Sequence, residues 1–437
     1  MMDICKRLAV GRDKLDRFMD LPINVIHQIQ DHMSIEDAAR MSILSSGLRY
    51  VWASNPKLVF GAQFYLNRKL PGKTDIISTI VSQHHGAIKT FYSIIHSPQH
   101  SVVDEWMLLL SGNGLTDLTL NNLKDAKAPY RLPSCVYGVE LERLDLWNCI
   151  FRPPCSFRCF RKIKTLALRQ VSFELDVATS SLWMPNLEKV LFMQCSGIRH
   201  LNIYAPELIT LVFFGCGTDC LKLGPFMDCV KLKLFAISFE EEVSQNRQDK
   251  AVKLTNLLSS WPNITLLMLD RYFLKFFASG TGAEKLPASL NRLRVVNFHN
   301  YDFDGVNQIF PLLCILRSSP NLKALTFLLC QRKEGDMEVD LNLLEGPHCM
   351  TQGLDNLQTF EIKNFHGSRT ELRFVRFILA SAPLLQKPIF LVDRSVNESR
   401  SSEIRKKLMQ FPRASPKSEI IYKQYCWEEE ARRVLVG

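Results

Sequence analysis

One spacing recurs along this chain and limits its fold more than any other feature. An apolar residue is followed three and then five places later by two more, L-x-x-L-x-L with Ile, Val or Phe allowed. The pattern stands at Leu115-Leu118-Leu120, Leu141-Leu144-Leu146, Ile163-Leu166-Leu168, Leu187-Val190-Phe192 and Leu208-Leu211-Phe213. It continues at Leu232-Phe235-Ile237, Ile264-Leu267-Leu269, Leu293-Val296-Phe298, Leu322-Leu325-Phe327 and Leu357-Phe360-Ile362. Apolar positions two apart belong to a strand with one buried face. A unit of a few tens of residues cannot bury such a face alone, so the units must stack.

The first positions are separated by 26, 22, 24, 21, 24, 32, 29, 29 and 35 residues. The first five intervals fall in the range of roughly 20–29 residues for leucine-rich repeats. The longer ones hold polar insertions, such as Glu240 to Asp249 and Arg332 to Asp340, which read as loops. Cys149, Cys195, Cys216 and Cys330 each stand three places after the last core position, where a small side chain turns inward. Pro-Asn precedes the motif at 185–186, 262–263 and 320–321, and proline there keeps its neighbour extended. The expected fold is α/β, a leucine-rich-repeat solenoid with parallel strands on the concave face. The residue after each last core position should face that concave side: Trp147, Arg169, Met193, Phe214, Ser238, Asp270, His299, Leu328 and Lys363. Large groups at solvent positions are typical interface anchors, so Trp147, Arg169, Met193 and Phe214 are the candidate substrate patch.

Residues 16–60 follow a helical rule instead. Val25, Ile26, Ile29 and Met33 share one face, Pro22 suits a first turn, and Ser34-Ile35-Glu36-Asp37 has the form of a capping box. Three short helices cannot bury every apolar residue they carry, so a partner or the repeats should cover some of them. Leu21-Pro22-x-x-Val25-Ile26-x-x-Ile29, then Asp37-Ala38-Ala39-Arg40-x-Ser42-x-Leu44-Ser45, then Leu48-Arg49-Tyr50-x-Trp52 resembles an F-box of the plant type. The resemblance implies binding to a Skp-family adaptor and, through it, to the cullin and RING subunits of a ubiquitin ligase. It implies that Leu21, Pro22, Val25, Ile26, Ile29, Leu44, Leu48 and Trp52 form or support that contact. Ser46-Gly47-Leu48 departs from the family, which has basic residues and a tryptophan there. Glycine inside a helix costs about 1 kcal/mol against alanine.

The C-terminal stretch continues the likeness. Glu371-Leu372-x-Phe374-Val375-x-Phe377-Ile378-Leu379, Ala382-Pro383-Leu384-Leu385 and Phe411-Pro412-Arg413-Ala414-Ser415-Pro416 are similar to the FBD domain of plant F-box proteins. Leu372, Val375, Leu379 and Ala382 form one helical face, and Pro388 to Val392 reads as a buried strand. The division expected is an F-box at 16–60, a linker and N-terminal cap at 61–110, leucine-rich repeats at 111–350 and an FBD region at 351–425.

Chemistry is sparse in this sequence. It holds no phosphate-cradling Gly-x4-Gly-Lys loop and no His-Glu-x-x-His, and Gly112-x-Gly114 and Gly280-x-Gly282 are isolated. His84 and His85 are adjacent and so face apart. Cys155-x3-Cys159 and Cys216-x3-Cys220 have no second pair to complete a four-ligand zinc site. No metal and no cofactor are expected, and the chain reads as non-catalytic. The net charge of +10 is scattered, apart from Arg405-Lys406-Lys407 and Arg432-Arg433, so no nucleic-acid stripe is expected. No apolar run of membrane-spanning length exists, and no secretion signal begins the chain. The protein is expected inside the cell, in cytoplasm, nucleus or both, with its 13 cysteines reduced. The function expected is recognition of a protein substrate for a ubiquitin ligase. Alternatives are a repeat scaffold without ligase engagement and a small-molecule receptor on the same fold.

Overall fold

The computed structural model describes residues 21–67, 72–95, 100–122, 128–174, 181–198, 202–217, 223, 226–239, 254–278, 289–303, 306–330 and 354–425. The insertions at 240–249 and 332–340, Cys220, Gly280, Gly282, Arg432 and Arg433 lie outside them. The chain divides into two compact units, residues 1–187 and 188–437.

The first unit opens with three helices, α1 (Ile23–Asp31), α2 (Ile35–Met41) and α3 (Ser46–Ala53). After β1 (Lys57–Phe60) come α4 (Ala62–Leu66), α5 (Lys73–Ser82), β2 (Thr90–Ile95), α6 (His100–Ser111) and β3 (Asp117–Asn122). Then follow β4 (Tyr130–Arg131), β5 (Arg143–Trp147), β6 (Cys149–Phe151), β7 (Thr165–Arg169), β8 (Ser172–Phe173) and β9 (Ser181–Trp183). Strands β1, β2, β3, β5 and β7 pair in that order, all parallel. Their register aligns Leu58, Phe91, Leu118, Leu144 and Leu166 in one row. A second row runs through Phe60, Ser93, Leu120, Leu146 and Leu168. Every side chain in both rows is buried. The repeat motif thus acts by stacking like on like, each leucine row sealed by the next strand. A smaller parallel sheet, β4-β6-β8, forms where the chain leaves those strands.

The second unit holds β10 (Lys189–Met193), β11 (Asn202–Tyr204), β12 (Thr210–Cys216), β13 (Leu234–Phe239), α7 (Leu254–Ser259), β14 (Leu266–Asp270) and α8 (Arg271–Ala278). It continues with β15 (Val295–Tyr301), α9 (Val306–Arg317), β16 (Ala324–Leu329), β17 (Thr359–Phe365), α10 (Arg369–Ser381), β18 (Lys387–Val392), α11 (Glu398–Gln410) and β19 (Ile421–Gln424). The ladder β10-β12-β13-β14-β15-β16-β17-β18-β19 is again parallel throughout. One core row is Phe192, Phe213, Ile237, Leu269, Phe298, Phe327, Ile362 and Phe390. Its rings interlock: Phe298 and Phe327 stack at 5.0 Å, and Phe374 of α10 meets Phe327 at 5.4 Å. The α10 face expected at Leu372, Val375, Leu379 and Ala382 is buried.

Two backbone devices repeat with the strands. At most strand starts of the ladders, two successive amides donate to one carbonyl at the start of the strand before. Glu142 and Arg143 share the Thr116 oxygen, Lys164 and Thr165 share that of Glu142, and Lys323 and Ala324 share that of Arg294. At six strand ends, two places after the last core residue, the backbone turns left-handed, at Asn148, Gln170, Gln194, Gly215, Asn300 and Asn364. Amides and glycine tolerate that conformation best. The next residue then turns inward, as Cys149, Val171, Cys195, Cys216, Tyr301 and Phe365, all buried. Cys330 is only half-buried, so this corner holds three of the four cysteines expected there.

The Pro-Asn pairs carry more than proline. The Asn186 amide donates to the Arg161 carbonyl at 2.8 Å, Asn263 to Val230 at 2.8 Å and Asn321 to Asn291 at 3.0 Å. Asn356, without a proline, does the same to Pro320 at 2.9 Å. The shared-carbonyl device begins at Pro56, whose oxygen takes Lys89 and Thr90, and is still present at Gln358, which takes Gln386 and Lys387. The first unit's ladder therefore starts ahead of residue 111, inside stretches assigned to the F-box end and the linker, and the second unit's ladder includes strands of the stretch assigned to the FBD region.

Candidate functional site

The three N-terminal helices close around a small core of their own. Ile26, Leu48 and Val51 form it, with Met41 packed alongside. Pro22 caps α1, its carbonyl accepting from Val25 at 2.8 Å and Ile26 at 3.2 Å. Ser34 caps α2, accepting from the Asp37 amide at 3.1 Å, while its hydroxyl donates to the Asp37 carboxylate at 2.8 Å. This is half of a capping box, since Asp37 turns to the serine rather than to the backbone. Ser45 caps α3 by accepting from the Leu48 amide at 3.1 Å. Gly47 lies in that first turn, where four amides lack helical partners in any case. Its cost is therefore below that of a mid-helix glycine. A buried hydrogen bond of 3.1 Å from Asn55 to Gln30 ties α1 to the chain entering β1.

Of the residues expected at an adaptor contact, Leu21, Pro22, Ile29 and Leu44 are exposed, Val25 and Trp52 are half-buried, and Ile26 and Leu48 are interior. The last two support the module and cannot touch a partner. Ile23, Ile43 and Tyr50 are exposed as well, and the sequence reading missed them. Ile43 and Leu44 are 77% and 76% exposed, in the short turn between α2 and α3. Beside that turn an apolar groove of about 270 Å³ is lined by Ile35, Ala39, Ile43, Phe64, Ile76 and Ile80. Exposed apolar groups contiguous with such a groove mark an interaction surface.

The expected substrate positions are held more tightly than solvent positions usually are. All four are half-buried. In the first unit, Trp147 and Arg169 are register partners on β5 and β7. The Trp147 indole donates to Gln170 Oε1 at 2.8 Å, and Arg169 pairs with the Asp145 carboxylate. Burial raises the Asp145 pKa, and the guanidinium of Arg169 opposes that shift. In the second unit, Met193 and Phe214 are register partners on β10 and β12. The Phe214 ring meets the His299 imidazole edge to face at 5.4 Å. Between them in sequence, Ser238 and Asp270 are buried, contrary to the solvent-facing column expected. The cause is local. Helix α8 starts directly from β14, and Asp270 caps it, accepting from the Phe273 amide at 2.8 Å and from the Phe239 amide at 2.7 Å. Burial raises the Asp270 pKa to about 6, and it lowers that of His299.

Cys155 is exposed and Cys159 half-buried. Among the described residues no group of three or more His, Cys, Asp or Glu could hold a metal ion. Among them, too, no helix is long and apolar enough to cross a membrane.

Comparison with known proteins follows the same lines. The family model described as At1g61320/AtMIF1, LRR domain, matches residues 80–415. The chain is 28% identical over 418 residues to the F-box/FBD/LRR-repeat protein At1g13570 of Arabidopsis thaliana, covering 94% of this chain and 99% of that one. It is 23% identical over 436 residues to the F-box/FBD/LRR-repeat protein At3g14710 of the same plant, covering 93% and 94%. A solved internalin of Listeria monocytogenes aligns at 12% identity and a TM-score of 0.32, over 73% of this chain and 84% of that one. Three capped helices, a parallel leucine ladder and relatives matched over their full length define a plant-type F-box/FBD protein with leucine-rich repeats. The chain belongs to the At1g61320/AtMIF1 leucine-rich-repeat family.

Proposed function

We propose that this protein is the substrate-recognition adaptor of a Skp–cullin–F-box ubiquitin ligase. The observation that carries the reading is the unspent apolar surface of the three-helix module. Its core is complete with Ile26, Leu48 and Val51, yet Leu21, Ile29, Ile43 and Leu44 remain exposed. Fully burying one such side chain contributes roughly 1.5–3 kcal/mol, so a partner helix laid over them gains useful affinity. A Skp-family adaptor is that partner, and it brings the cullin and RING subunits. Leu21, Pro22, Val25, Ile29, Leu44 and Trp52 touch it, and Ile26 and Leu48 hold them in place.

The protein contributes proximity and no bond-making group. A substrate held on the ladder reaches a high effective concentration beside the charged ubiquitin carrier. Trp147, Arg169, Met193 and Phe214 are its anchors. A hydrogen bond, an ion pair and a ring contact fix Trp147, Arg169 and Phe214 before binding, which lowers the ordering cost.

The test is co-purification of the full chain with a Skp-family adaptor, comparing wild type with Ile43→Asp/Leu44→Asp. Both residues lie outside the core, so the variant should fold. Binding by wild type and its loss in the variant is the expected result. Equal recovery by both, or none by wild type, would remove the reading.

A further inference from the structure

A second surface owes nothing to the three-helix module. Helices α10 and α11 enclose a cleft of about 420 Å³ in the second unit. Arg369, Arg373 and Arg376 line it from α10, Arg400 and Lys407 line it from α11, and Leu372 and Phe411 give it an apolar part. Among the described residues, no carboxylate lines it.

The spacing is unfavourable for stability alone. Residues at i, i+4 and i+7 share a helix face, and like charges there are mutually destabilising. Arg400 and Lys407 stand seven apart on the facing helix and add to the same field. Arg369 also occupies the first turn of α10, where the helix dipole disfavours a cation. Arg400 is anchored at the cleft wall: it donates to the Gly367 carbonyl at 3.0 Å and pairs with Glu403 at 3.3 Å on the exposed side. The helices cannot drift apart easily, because Gly367 brings the start of α10 against Ile404 of α11. A concentrated positive field is therefore held on a rigid frame.

Guanidinium forks match phosphate oxygens in pairs, which a point charge does not. Four of the five cations are arginines. The apolar part decides between occupants. A free polyphosphate has no use for Leu372 and Phe411, whereas a phosphorylated peptide has a side chain next to its phosphoryl group. We propose that this cleft binds a phosphorylated peptide segment, the phosphoryl group among the arginines and a neighbouring apolar side chain on Leu372 and Phe411.

The experiment is fluorescence anisotropy with the full chain at low and moderate salt. The probe is a degenerate peptide pool with one fixed phosphothreonine followed by leucine. The controls are the same pool with threonine, and tripolyphosphate as competitor. The phosphorylated pool should bind at least tenfold tighter than the threonine pool and weaken with added salt. Arg376→Glu/Lys407→Glu should remove that preference, and Arg376→Gln/Lys407→Gln should reduce it, both at an unchanged unfolding midpoint. Leu372→Ala guards less well, because Leu372 is buried, so Phe411→Ser tests the apolar part. Equal binding of the two pools, or a preference that survives both double variants, overturns the proposal. Strong displacement by tripolyphosphate with no loss in Phe411→Ser overturns it in favour of a free polyanion.

Discussion

Gly367→Ala tests how the C-terminal helices are locked together. Gly367 adopts φ +67°, and its amide donates to the Glu371 carboxylate at 2.8 Å. A side chain there pays twice. The left-handed backbone costs a residue with a Cβ about 1–2 kcal/mol. The added carbon would sit 2.5 Å from Cγ1 of Ile404, closer than real contacts allow. Ile404 is buried, so it cannot swing into solvent, and overpacking of this kind costs about 1–3 kcal/mol. The stiffer unfolded chain returns about 0.4–1 kcal/mol. The net expectation is a loss of about 2–4 kcal/mol, read from urea unfolding of the full chain. Hydrogen exchange should rise first over residues 369–410. The Ile404→Ala background separates the two costs: there the steric part vanishes and only the backbone part of about 1–2 kcal/mol remains. A loss below about 0.5 kcal/mol, or strict additivity with Ile404→Ala, would refute the close-approach argument.

Three further outcomes follow from the geometry. The Asp270 carboxyl has its pKa raised to about 6 by burial, so its stabilising contribution is complete below about pH 4, the unfolded value, and is lost as pH rises through 6. The stability difference between wild type and Asp270→Asn should therefore shrink by about 3 kcal/mol from pH 4 to pH 7, and a flat difference would contradict the burial reading. Asn321→Ala removes a side-chain hydrogen bond to the Asn291 carbonyl and should cost about 0.5–1.5 kcal/mol in chemical denaturation, with Pro320→Ala costing less. Trp147→Ala with Phe214→Ala should abolish substrate capture in pull-downs while adaptor binding persists, and retained capture would discard these anchors.

The ladder was legible in the middle of the chain because leucine, isoleucine, valine or phenylalanine fills all three positions there. Its first two strands were hidden by polar residues in the same register. Asn55-x-x-Leu58-x-Phe60 and Ile88-x-x-Phe91-x-Ser93 obey the spacing, and Asn55 and Ser93 are both buried. Ser93 is admitted because the Tyr65 hydroxyl meets its own at 2.9 Å. The asparagine of Pro-Asn carried a hydrogen-bond signal as clear as the proline, visible only when a neighbouring repeat supplies the acceptor. The burial of Asp270 was not readable from a column count, since the count assumes a loop where α8 begins at once. On the module, the helical spacing gave Ile26 and the family resemblance gave Leu48, but neither could tell the inward face from the outward one. That choice depends on how three short helices cross, which is why Ile43 went unnoticed.

Within each unit's ladder the strands follow one another in the order in which the chain supplies them. A repeat therefore needs only its predecessor to satisfy its backbone and bury its row. Such a chain can fold as the ribosome releases it, each new strand docking on the last, with a single growing edge at any moment. Loop closure stays short at every step, which favours speed over long-range search. The same geometry makes repair local: a repeat shaken loose has an intact template beside it to rebuild on.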